Sequence, residues 1–255
     1  MFSEINIELT SRCNKHCWIC PRWNNNIPKN DMPFELLQKI EPQLEDNIII
    51  HFHNNGEPLL YPRFEEAALL FNRQYTHITT NGKLIIEKIK ELQYLNTMAI
   101  SVIENDPEAD EQYEILKEYF TIKNEGLLEL PHTVLRLNGK VDDKRYKQFC
   151  VPIAYRNLHD PMGSFKYTAP PTLPETGICQ DLLYHPAINK DGDISICVRY
   201  DPKGLGVIGH VSQGITSVLD GEKRRDYIDL HLQGRRNEVP LCASCQYWGI
   251  PTGRS

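Results

Sequence analysis

Ile5 to Arg22 reads INIELTSRCNKHCWICPR. Ile5 to Leu9 has the apolar spacing of a short β-strand. Cys13, Cys17 and Cys20 follow at once, so three thiols lie on the loop leaving that strand. Three thiolates within eight residues can converge on one metal centre. A [4Fe–4S] cube held by three cysteines keeps one iron open to an outside ligand. Structural zinc is the alternative. It wants four protein ligands, and His16 offers one from a cramped place between Cys13 and Cys17.

Outward from this stretch the pattern is β-α repetition. Strands are expected at Asn47 to His53, Thr76 to Thr80, Thr97 to Ile103 and within Leu127 to Leu137. Helices are expected at Phe34 to Leu44 (with Asp31 as cap), Arg63 to Asn72, Leu84 to Leu95, Glu108 to Phe120 and Asp143 to Tyr155. This order predicts an α/β fold, a partial (β/α)6 TIM-like barrel with helices on its outer face. A linker-like stretch, Ala169-Pro170-Pro171-Thr172-Leu173-Pro174, places a boundary near residue 170. Residues 1–169 then form the barrel, and 170–255 a small α+β subdomain. In the latter, Ala187 to Val198 reads as a hairpin turning at residues 189–193, and Ile215 to Leu219 and Lys223 to Leu232 read as helices.

The 255 residues are 40% apolar, with eight cysteines and a formal charge of −6. No apolar run is long enough to cross a bilayer and the N-terminus has no signal-peptide pattern, so a cytoplasmic protein is expected. The acidic balance disfavours nucleic-acid binding. Lys223-Arg224-Arg225 and Arg235-Arg236 read as solvated helix faces. In a cytoplasmic chain of this size the cysteines point to metal, not to disulfides. Cys179, Cys197, Cys242 and Cys245 form a second group that suits zinc or a fully ligated [4Fe–4S] cube. Cys150, within Phe149-Cys150-Val151, reads as a buried apolar thiol.

Three features in order resemble the radical S-adenosylmethionine (radical SAM) superfamily. The first is the cysteine loop itself, with Asn14 and Pro21. The second is Asn55-Gly56-Glu57-Pro58 at the end of strand two, similar to the family's Gly-Gly-Glu-Pro-type motif with Asn55 replacing the first glycine. The third is Thr79-Thr80-Asn81-Gly82 at the end of strand three. The resemblance covers residues 1 to about 160. It implies a [4Fe–4S] cluster on Cys13, Cys17 and Cys20, and SAM bound by Asn55, Gly56, Glu57, Pro58, Thr80 and Asn81. Ile19 stands where an aromatic residue often packs near the adenine. The second cysteine group resembles the shortened SPASM extension called twitch, which implies one auxiliary [4Fe–4S] cluster on Cys179, Cys197, Cys242 and Cys245. Length and strand-two sequence look most similar to the 2-deoxy-scyllo-inosamine dehydrogenase type within the superfamily.

Other residues at strand ends are candidates by position. Ser101 can bond a ribose hydroxyl. Arg136 can pair with the SAM carboxylate or a substrate anion. His51 and His53 alternate on strand two and share a face, where His53 can contact substrate or act as base. His159 and Asp160 lie near the expected barrel mouth, and His159 is a further catalytic candidate.

The resulting expectation is SAM cleavage to a 5′-deoxyadenosyl radical, then two-electron oxidation of a small polar metabolite such as an aminocyclitol or sugar. Electrons would come from a flavodoxin- or ferredoxin-type reductant. Modification of a ribosomal peptide is the second expectation, with Cys150 the one cysteine left to donate hydrogen in an epimerisation. Peptide modifiers often carry a leader-binding domain, for which no room is expected ahead of strand one. A non-catalytic zinc scaffold is the third.

Overall fold

The computed structural model describes residues 2–20, 22, 29–158, 178–199, 201, 203–243 and 245. Pro21, His159, Asp160 and the 169–174 stretch lie outside the described residues. Six strands run parallel in chain order: β1 (Glu4–Ile7), β2 (Ile49–Phe52), β3 (Tyr75–Thr80), β4 (Thr97–Ile103), β5 (His132–Asn138) and β6 (Ile153–Arg156). On the other side of β1, β7 (Ala187–Ile188) pairs parallel, and β8 (Asp193–Ser195) and β9 (Val207–His210) continue antiparallel. The sheet is open, with β6 and β9 at its edges. Helices α1 (Phe34–Ile40), α2 (Phe64–Leu70) and α3 (Ala109–Glu125) accompany the parallel strands. The short α4 (Gln180–Tyr184) and α5 (Ile215–Leu219) and the longer α6 (Glu222–Leu232) follow.

Side-chain alternation gives the sheet two unlike faces. Ile5, Ile7, Ile50, Phe52, Ile78, Met98, Ile100, Val102, Leu135 and Leu137 are buried in one core with Leu37, Ile40, Phe64, Leu116 and Tyr119 of the helices. Burying each large side chain contributes about 1.5–3 kcal/mol. The opposite face is polar. One row across it reads Asn6, His51, His77 and Thr97, and a second includes Ser101 and Arg136. The C-terminal segment shares the main core through Ile188, Ile194, Val211, Ile215 and Leu219. Leu182, Ile196, Cys197, Val239 and Leu241 form a second small core.

The structure departs from several local expectations. Asp31 does not cap α1. Pro33 holds the cap position, and Asp31 is engaged by Arg12 through two bonds of 2.9 Å. Leu84 to Leu95 forms continuous turns ending in a 3-10 turn at Glu91–Tyr94. There i+3 bonds such as Glu91 N to Lys88 O replace part of the α ladder, while Ile85, Leu92 and Leu95 all reach the core. Asp143 to Tyr155 is not a helix. Cys150 ends a 3-10 turn in the left-handed conformation (φ 53°), and Pro152, which lacks an N–H, precedes β6. Cys150 is therefore exposed instead of buried. Arg224 is buried, not solvated, and donates to the carbonyls of Leu182, Leu183 and Leu219.

Candidate active site

The cysteine loop is clamped onto the strand ends. Gly56 explains the closeness, because a Cβ there would lie 1.9 Å from the Thr10 carbonyl oxygen and 2.8 Å from that of Arg12. Glu57 N donates to Arg12 O at 2.8 Å across the same contact. Arg12 also donates to Leu60 O at 2.6 Å, and Arg22 to Ser11 O. On the other flank Lys15 Nζ meets Asp106 Oδ2 at 2.5 Å with both side chains buried, and Trp18 Nε1 donates to Glu104 O at 2.7 Å. The loop is thus tied to the ends of β2 and β4.

Asn81 ties it to β3. Its Nδ2 donates to Cys13 Sγ at 3.7 Å and to Asn14 Oδ1 at 2.8 Å. Its backbone N–H donates to Glu57 Oε2 at 2.7 Å, and its carbonyl accepts from Gln112 Nε2 at 2.6 Å. The Glu57 carboxylate is buried and accepts from Thr80 Oγ1 (2.8 Å) and Leu59 N (3.2 Å) as well. Burial nevertheless pushes its pKa up to about 7. Glu57, Thr80 and Asn81 therefore lock the ends of β2 and β3 together. Pro58 opens the 3-10 turn after Glu57. Ser101 lies on β4 beside Arg136 of β5, and its carbonyl accepts from Gln112 at 2.9 Å. Ile19 is half-buried on the cysteine loop.

Cys13, Cys17 and Cys20 lie within mutual electrostatic reach. Burial and these neighbouring thiols push the Cys17 thiol up to about 12, against the buried ammonium of Lys15. Bare thiolates are costly in such a place, and a bound cationic cluster would compensate them. The donor set therefore fits the cluster implied by the sequence. In the C-terminal segment, Cys179 lies within such reach of Cys197, Cys242 and Cys245. Arg199 N donates to Cys197 Sγ at 3.4 Å, and Arg236 Nη2 donates to the carbonyls of Cys242 and Cys245. All eight cysteines are free thiols. Among the described residues, no three His, Cys, Asp or Glu side chains are grouped so as to hold a single metal ion.

Below the loop, the polar face carries three histidines. His51 bonds Glu4 Oε1 (3.2 Å) and Thr79 Oγ1 (2.9 Å), and His77 bonds Thr97 Oγ1 (2.7 Å). The His51 ring meets that of His77 edge-on at 4.2 Å and stacks on that of His53 at 5.2 Å. Burial, then the neighbouring imidazoles and Arg136, hold His51 and His53 well below the usual imidazole range. Burial takes His77 to about 4. All three are neutral at pH 7. The His53 Nδ1 is buried without a hydrogen-bond partner among the described residues.

The structure thus brings together His53, Arg136 and the strand-end residues named from the sequence, while His159 lies outside the described residues. Sequence reasoning missed Lys15, Asp106, Gln112, His77 and Glu8. The Glu4, Asn6, Glu8 alternation along and just past β1 was a legible signal for the last. Lys15 carried a weaker one, as a cation between two cysteines.

A family model described as the Radical SAM superfamily matches residues 7–160. A tungsten-containing aldehyde ferredoxin oxidoreductase cofactor-modifying protein from Pyrococcus furiosus is 34% identical over 95 residues, covering 35% of this chain and 27% of that protein. The S-adenosyl-L-methionine-dependent 2-deoxy-scyllo-inosamine dehydrogenase from Niallia circulans is 31% identical over 111 residues, covering 39% of this chain and 42% of that enzyme. These matches span less than half of either curated relative. The crystal structure of BtrN with AdoMet and 2-DOIA superposes with a TM-score of 0.67 at 20% identity, covering 99% of this chain and 96% of BtrN. Streptococcus suis SuiB bound to precursor peptide SuiA gives a TM-score of 0.59 at 16% identity, covering 96% of this chain and 71% of SuiB. Likenesses at this identity speak to the fold. Among the described residues no helix is long and apolar enough to cross a membrane.

Proposed function

This chain belongs to the radical SAM superfamily, and on that footing we propose that it dehydrogenates a small polar metabolite such as an aminocyclitol or sugar. The observation that carries the reading is the three-cysteine loop seated on Gly56 and bonded through Asn81 to the third strand. When bound, the cluster on Cys13, Cys17 and Cys20 supplies the electron that cleaves SAM to a 5′-deoxyadenosyl radical, and an auxiliary cluster on Cys179, Cys197, Cys242 and Cys245 supplies an electron acceptor.

The chain's own residues bind and orient. The Asn55–Pro58 loop, Ser101 and Ile19 would wall the SAM site. Glu57, Thr80 and Asn81 hold that wall in place, because their polar groups already bond one another. His53 is the proposed proton acceptor as a substrate alcohol becomes a carbonyl. Its ring is neutral and its Nδ1 is available. Arg136, on the same face, is the proposed partner for a carboxylate or other anion. His159 stays a proposed substrate contact on its sequence position alone. A flavodoxin or ferredoxin is the proposed reductant, and the cytoplasm the proposed compartment.

Anaerobic reconstitution with iron and sulfide, then dithionite and SAM, tests this. About eight irons per chain are expected, as two four-iron clusters. Replacing Cys13, Cys17 and Cys20 together by Ala should remove about half the iron and all 5′-deoxyadenosine formation. SAM cleavage surviving that change, or zinc in place of iron, overturns the reading. Turnover of a precursor peptide instead of amino sugars would move the substrate class to peptides.

A further inference from the structure

One buried acid at the site has no part in the scheme above. Glu8 follows β1 on the polar face, two residues beyond Asn6, which pairs with His51. Its backbone N–H still donates to Ile188 O at 2.9 Å, so the position is fixed by the sheet. The residue is 5% exposed. Oε2 accepts from Lys190 N at 3.2 Å, and Asn55 of the strand-two loop lies within hydrogen-bonding reach. The Lys190 ammonium contributes at a distance but is bonded to Asp191 at 2.5 Å. Oε1 is buried with no partner among the described residues.

Glu8 is not alone in this. Asn54 Oδ1 and His53 Nδ1, on the adjoining turn, are buried and equally without partner among the described residues. Two of these three atoms only accept hydrogen bonds, and the neutral imidazole nitrogen accepts in one tautomer. An unpaired buried acceptor costs about 1–3 kcal/mol, more when charged, so a cluster of them is expensive unless a donor-rich group completes it. An alkylammonium offers three donors and the opposite charge.

We propose that Glu8, aided by Asn54, is the receptor for an alkylammonium group of a bound ligand. This rests on the dehydrogenase reading for the identity of the ligands. Two amines can be presented here, the methionine ammonium of SAM and the amine of an amino-bearing substrate. Placement on the polar face of the sheet, which runs on from Glu8 to Asn6 and its neighbour His51, favours the substrate's. Its charge-assisted bond to Oε1 would fix which carbon faces the radical, which makes Glu8 a specificity-determining residue.

The test uses reconstituted protein, with SAM and 2-deoxy-scyllo-inosamine as probes in titration calorimetry. Glu8→Gln should weaken the aminocyclitol at least tenfold while SAM affinity stays within twofold. Asn54→Ala, a milder change, should weaken the same ligand about threefold. A tenfold loss for SAM instead would assign the receptor to the methionine ammonium. Iron content and melting temperature are measured alongside to show that both variants fold. If both folded variants bind both amines as the wild type does, or if the wild type binds neither, the assignment is overturned. Continued 5′-deoxyadenosine formation by the wild type would then show that the radical SAM reading survives its loss.

Discussion

Three thiols of this protein come from a single eight-residue loop, and four come from three separated places. Cys13, Cys17 and Cys20 are braced by side chains reaching in from β3 and β4 and by the backbone contact at Gly56. Cys179 caps α4, Cys197 follows β8, and Cys242 and Cys245 close the chain's last described turn. Their braces are mostly arginines on backbone carbonyls, Arg224 beneath α4 and Arg236 beside Cys242. The first group is set by local geometry plus a clamp. The second exists only once the surrounding fold has closed.

The sharpest way to break this contrast is Lys15→Met. It strands Asp106, whose side chain is 5% exposed, without its cation. Removing one partner of such a pair costs about 3–5 kcal/mol. Urea unfolding should show that loss. Iron should leave the first group, with 5′-deoxyadenosine formation, while the second group keeps its share. Equal loss from both groups would show that the clamp is not local.

Acid and base should separate the two regions next. His77, beneath the cysteine loop, titrates near 4 when folded because it is buried. Between that value and the ordinary value of about 6.5, the unfolded chain binds more protons, so stability falls as pH drops through this window. The full effect is roughly 3 kcal/mol. His185, below α4, is raised by its bond to Asp181 at 2.7 Å. Its contribution is complete below the ordinary value and is lost as pH rises through the raised one. Melting curves should therefore show His77→Asn flattening the limb below the ordinary imidazole value and His185→Asn the limb just above it. A shared response of both variants would erase the distinction.

The smallest effect is expected from Arg236→Gln, which removes donors to the Cys242 and Cys245 carbonyls. About 1 kcal/mol of stability should go. Second-group iron should become easier to chelate, with SAM cleavage unchanged. Loss of SAM cleavage here would mean that the two groups are coupled.

The same contrast explains what was legible beforehand. Strand order and the first cysteine group were readable because they depend on period and spacing, which are local. The α/β fold with an unclosed parallel sheet follows that reading. Helices at Leu84 to Leu95 and Asp143 to Tyr155 misled because apolar spacing does not separate an α-helix from turns that bury the same residues. Pro152 was the available warning. Arg224 looked solvated because a basic run carries no sign of the carbonyls beneath α4. Lys15 and Glu8 escaped notice because each meets its surroundings through residues far away in sequence, Asp106 in one case and Lys190 in the other.

The unlike faces of the sheet bear on how such a chain can diversify. Its hydrophobic packing lies almost wholly on the helix side, where Ile50, Phe52, Ile100 and Leu135 are fully enclosed. The polar face carrying His51, His77, Ser101 and Arg136 contributes little to that packing. Exchanges among those polar positions can therefore accumulate without unfolding the molecule, whereas Gly56 admits no side chain at all. A lineage built on this plan is free to change what it recognises, and constrained at Gly56, where two backbones touch.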